Sequence, residues 1–70
     1  MAHKIGDLIK WYETYADIDI VKDTGTGIVI GSQKKEYKSD KFMLYTVYRN
    51  KANDTMSFHE RDITTIIKGD

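Results

Sequence analysis

The sequence contains no cysteine and no proline. Without cysteine there is no disulfide to restrict the unfolded chain and no thiolate to hold zinc. That composition fits a reducing compartment. Without proline, nothing stiffens the loops before folding. An excess of one charge is missing too, because 11 Lys and Arg balance 11 Asp and Glu. Balance argues against a nucleic-acid binder driven by bulk electrostatics and leaves room only for a local basic patch. No apolar run approaches the ~18–20 residues needed to span a bilayer as a helix. The stretch Met1 to Asp7 has no apolar signal core, so the expected location is the cytoplasm.

At 70 residues the chain is expected to form one domain over 1–70. A core of that size supplies roughly 3–5 kcal/mol of net stability. A protein partner or self-association is expected to add to it.

β-branched and aromatic residues dominate the segments between the Gly and Asn/Asp clusters. This predicts an all-β fold with antiparallel strands near 6–12, 27–33, 42–49, 55–59 and 63–67. Thr24-Gly25-Thr26-Gly27 reads as a hairpin turn. Gln33 to Lys41 reads as an exposed polar connection, and Asn50 to Asp54 as a second turn. Between Glu13 and Thr26 a long connection is expected, with a β-like stretch around Ile18 to Val21. A helix near 7–16 is the alternative, since Ile5, Leu8, Ile9 and Tyr12 fall at helical spacing behind Asp7. The predicted core is Leu8, Val29, Tyr45, Val47, Phe58, Ile63 and Ile66.

Chemical motifs are weak. His3 and His59 with Glu60 and Asp62 lack the ligand number and spacing of a zinc site, so no metal is expected. The paired glycines lack the lysine and following helix of a phosphate-binding loop, and no other cofactor is implied. Ser32, Ser39 and Ser57 have no motif partner that would make a nucleophile. The chain is therefore expected not to be an enzyme. Asp17 and Asp19 would share a face on a strand and read as charges guarding a sheet edge.

Several landmarks lie in an order that resembles small phage-encoded proteins with an SH3-like, or KOW-like, barrel. They are Gly6-Asp7-Leu8-Ile9-Lys10-Trp11, Gly27-Ile28-Val29, Tyr45-Thr46-Val47-Tyr48, and Phe58 followed by Glu60-Arg61-Asp62-Ile63-Thr64-Thr65-Ile66. The resemblance covers roughly 5–67. It implies a partly open barrel of about five strands with inward Tyr45 and Val47, and, if phage-encoded, a place in the host cytoplasm. Members of that group are mostly without assigned activity, so no functional residue is carried over.

Eight aromatic residues are many for this length. Tyr48 beside Arg49, and Tyr37 among Lys34, Lys35, Lys38 and Lys41, combine stacking surface with cationic donors, as binding hot spots do. Tyr37, Tyr48, Arg49, Lys34, Lys35 and Lys38 are accordingly the expected partner-binding residues. The expected role is a non-catalytic protein-binding module, as a small virion component or a factor acting on a host protein. A nucleic-acid-binding module in the manner of KOW or Tudor-like barrels is the runner-up.

Overall fold

A computed structural model describes residues 3–15, 18 and 20–69. Alternation of side chains builds five strands: β1 (Leu8–Thr14), β2 (Val21–Tyr37), β3 (Asp40–Arg49), β4 (Asp54–His59) and β5 (Ile63–Ile67). One 3₁₀ turn, Glu60–Asp62, joins the last two, and the His59 side chain caps it by accepting from the Arg61 N–H. All neighbouring strands are antiparallel. They form one sheet in the order β4-β3-β2-β1-β5. The sheet is not closed into a barrel, and among the described residues β4 and β5 are its outer strands. The all-β expectation holds, and residues 8–14 are strand rather than the alternative helix.

The inner face of the sheet carries the core. Ile9, Trp11, Val29, Tyr45, Val47, Phe58 and Ile63 are buried there. Register explains the cluster: Val29 lies opposite Val47, Tyr45 opposite Phe58, and Trp11 opposite Ile63. Trp11 and Phe58 stack with centroids 5.6 Å apart. Each such side chain contributes about 1.5–3 kcal/mol through burial.

Two expected core residues are corrected. Leu8 is only half-buried and Ile66 is about half exposed. In β1 the inward residues are Ile9 and Trp11, one position along from the expected Leu8, and a shift by one residue exchanges the faces. In β5 the pairing with β1 skips Ile66, which bulges between Thr65 and Ile67.

The glycine-rich segment is corrected as well. Thr24 to Gly27 is not a turn but the middle of β2. A Cβ on Gly25 would sit 2.6 Å from the Trp11 ring, and one on Gly27 would strike the Tyr48 carbonyl oxygen and Val47. Glycine is needed there for close packing, with Trp11 Nε1 donating to the Thr26 carbonyl at 3.1 Å. The long connection expected from Glu13 to Thr26 shrinks to 15–20, because β1 and β2 continue pairing as far as Thr14 and Val21. Asp17 and Asp19 lie outside the described residues.

Gln33 to Lys41 is also regular structure, not a connection. Gln33 to Tyr37 belongs to β2, Asp40 and Lys41 belong to β3, and Lys38-Ser39 makes the two-residue turn. Lys38 takes φ 56° there.

Candidate functional site

The β2–β3 hairpin outruns the rest of the sheet. β3 pairs with β4 only from Leu44 onward, and β2 pairs with β1 only up to Ile28. From Lys34 to Lys41 the two strands therefore form a ribbon with no third strand paired to it, while at its base the Phe42 ring stacks on His59 of β4 with centroids 4.9 Å apart. Four residues of strand reach roughly 13 Å at ~3.3 Å each. Residues 32–41 are all exposed.

Four of the six expected binding residues sit on this arm. Lys34 and Lys35 point to opposite faces, Tyr37 stands beside the tip at 66 % exposure, and Lys38 occupies the turn. The Lys38 ammonium lies 5.5 Å from the Tyr37 ring centroid. Register also sets Glu36 across from Lys41 and Tyr37 across from Asp40, so carboxylates dilute the arm's positive charge.

The other two residues do not join as one face. Tyr48 points outward with Ile28 and Thr55 as cross-strand neighbours. Its hydroxyl donates to Asn53 Oδ1 in the following turn. Arg49 points to the inner side, where its Nε and one terminal nitrogen both reach Asp54 at 2.7 Å. Its guanidinium lies 5.2 Å from the centroid of a Trp11 ring. Asp54 raises the Arg49 pKa, and Arg49 in turn lowers that of Asp54. This arginine is engaged in closing one end of the core. Beside it Lys51 reaches Asp23 at 2.5 Å, which lowers the Asp23 pKa, helped by the Thr24 N–H.

Around Asp7 and His3 lies a second polar cluster that sequence reasoning did not single out. Asp7 is buried, and its carboxylate accepts from the Lys4 N–H at 2.9 Å and the Gly69 N–H at 2.7 Å. Those two bonds, in that order, hold its pKa below the ordinary value of 3.8. His3 hydrogen-bonds Thr65 Oγ1 through Nδ1 at 2.7 Å, its backbone N–H donates to the Tyr45 hydroxyl, and its ring meets Tyr45 edge-on. The only available clue was Asp7 between Gly6 and an apolar run, which is also what a helix cap looks like.

An open groove of about 720 Å³ is lined by Ile63 to Ile66 of β5 together with Lys4, Asp7, Glu60, Arg61 and Lys68. Among the described residues, no three His, Cys, Asp or Glu side chains gather as metal ligands. No helix among them is long and apolar enough to cross a membrane. No family model matches the chain, and no curated protein or solved structure matches it.

Proposed function

We propose that the chain is a non-catalytic, protein-binding module with an SH3-like layout, acting as a small phage virion component or as a cytoplasmic factor directed at a host protein. The single observation that carries the reading is the arm. Residues 32–41 are ordered as strand and turn yet wholly exposed. A two-stranded ribbon standing alone is marginally stable, so an arm that buries nothing of its own is best explained by contact with something else. The order β4-β3-β2-β1-β5, with a 3₁₀ turn before the last strand, supports the SH3-like part of the reading. The contact face comprises the arm, through Lys34, Lys35, Tyr37 and Lys38, and the outward surface around Tyr48. Arg49 supports that surface from behind through Asp54.

Nucleic acid is the second reading, favoured by four lysines on a β-ribbon, a shape that fits a major groove. Glu36 and Asp40 within the ribbon, and the neutral chain, favour protein. Titration with generic duplex and single-stranded nucleic acid at low and high salt separates the two. Binding that falls steeply with salt assigns the arm to phosphates. Absence of binding at low salt leaves the protein reading standing. That reading fails if reversing Lys34, Lys35 and Lys38 to Glu and replacing Tyr48 by Ala leave the affinity for a purified protein partner unchanged.

A further inference from the structure

We infer that the free edge of β5 takes up an extended, acidic peptide segment as an added strand. The inference rests on the protein-binding reading but on a different surface from the arm, at the other side of the sheet. β5 pairs with β1 on one edge and is the last strand of the sheet, so its second edge has no strand beside it among the described residues. That edge carries neither proline nor any charged side chain from Ile63 to Ile67, two of the usual guards against strand addition. Ile63 to Ile66 of the same strand line the groove. Backbone pairing would supply affinity there, and alternate side chains would supply selectivity.

The bulge and the groove's charge together disfavour a second copy as occupant. Two β5 strands paired about a two-fold axis at Thr65 would set Ile63 opposite Ile67 of the other copy. Ile63 faces the core opposite Trp11, whereas Ile67, beyond the bulge, lies opposite outward-facing Leu8. Paired residues must share a face, and these do not; an axis at Thr64 matches faces but pairs only Ile63 to Thr65, and it would bring the Lys4, Arg61 and Lys68 of both copies together. A separate peptide has no symmetry to satisfy and can pair with Ile63 to Thr65 alone. Charge then selects its chemistry. Lys4, Arg61 and Lys68 line the groove and are exposed. Of the two carboxylates, Asp7 is buried and bonded to backbone N–H groups, and Glu60 lies within reach of the Met43 N–H. Ile66 offers an apolar contact for one side chain of the added strand.

The probe is a capped decapeptide of alternating valine and glutamate, titrated into the ¹⁵N-labelled full chain. Amide shifts are expected from Arg61 to Lys68, with affinity in the micromolar-to-millimolar range. The alternating valine–lysine peptide should bind at least about tenfold more weakly, and Arg61→Glu with Lys68→Glu should reverse that preference. Two further peptides carry N-methyl groups at only odd or only even positions. One should lose about tenfold and the other should not, because an added strand donates from one edge. The inference is overturned by no shift at about 1 mM peptide, by equal binding of both charge forms, or by equal binding of the two N-methylated forms. It is also overturned by shifts confined to Lys34 to Tyr48, a result that would support the arm reading. Shifts confined to β5 leave the arm reading to its own test, so the two can fail separately.

Discussion

Strand β2 passes through two environments. Between Gly25 and Val29 it is wedged among Trp11, Val47 and the backbone of Tyr48, with no room for a Cβ at either glycine. Between Lys34 and Tyr37 the same strand touches only its hairpin partner, and every side chain is exposed. Both stretches keep the strand conformation, for different reasons. The first is held by β1 and β3 on its two edges and by the core on its inner face. The second is held by a ladder anchored in the body and a two-residue turn. On the proposed function, stability and partner contact are divided along a single strand, so substitutions in the two stretches should have opposite signatures.

The largest effect is expected in the core that the glycines fit against. Trp11→Ala should cost ~3–5 kcal/mol, since it removes a fully buried ring that stacks on Phe58 and bonds Thr26. That approaches the whole net stability of a domain this small. Phe58→Ala belongs to the same class. Denaturant unfolding measures both, and a cooperative transition with an unchanged midpoint in either would show that the inner face has been wrongly assigned.

Next come the glycines themselves. Gly27→Ala should destabilise by ~1–3 kcal/mol because its Cβ meets backbone, which cannot rotate away. Gly25→Ala should cost less if the Trp11 ring can shift, and its near-ultraviolet circular dichroism would then change. Wild-type melting for Gly27→Ala would break the contrast between the two halves of β2.

A third effect depends on pH. Folding holds the carboxyls of Asp7, Asp23 and Asp54 below the ordinary 3.8. A depressed pKa contributes stability above the unfolded value, and that contribution is lost as pH falls through the folded value. Thermal stability should therefore fall on acidification below about pH 4. Asp7→Asn should lower stability at neutral pH and flatten this acid limb, because the carboxylate that clasps Lys4 and Gly69 is gone. An acid limb identical to that of the unmodified chain would dismiss the clasp as a source of stability.

The smallest stability effect is expected on the arm. Lys34→Glu, Lys35→Glu and Lys38→Glu together should change folding stability by no more than about 0.5 kcal/mol per site. Association with a protein partner should slow and lose salt dependence, through lost steering. Tyr48→Ala should weaken that contact by ~1–3 kcal/mol if the ring is an anchor. A large drop in melting temperature for the arm variants would mean that the ribbon packs on the body, and the comparison would collapse.

Local pattern was informative where only one face of a strand could be apolar. In β4, Met56 and Phe58 alternate with Thr55, Ser57 and His59, and the inward set follows directly. For β3, inward Tyr45 and Val47 came with the family resemblance, because Phe42, Leu44 and Tyr48 make the other face apolar as well. In β1 both faces are apolar, Leu8 and Tyr12 on one and Ile9 and Trp11 on the other, so alternation could not choose between them. The arm's lysines and Tyr37 were legible as an exposed cationic and aromatic group. Their projection from the sheet was not, because polar composition reads as loop whether or not the backbone is paired.

The sequence by itself determined that this is a small, neutral, all-β chain with five strand-forming segments, since β-branched and aromatic enrichment is a local property. Tertiary structure alone decided that β1 turns Trp11 inward and that Gly25 and Gly27 lie within a strand. Each depends on which residue stands across the ladder. Gly25 lies opposite Trp11 and Gly27 opposite Arg49. A glycine followed by open solvent is a turn, whereas one facing an indole is a packing site, and only the partner strand distinguishes them.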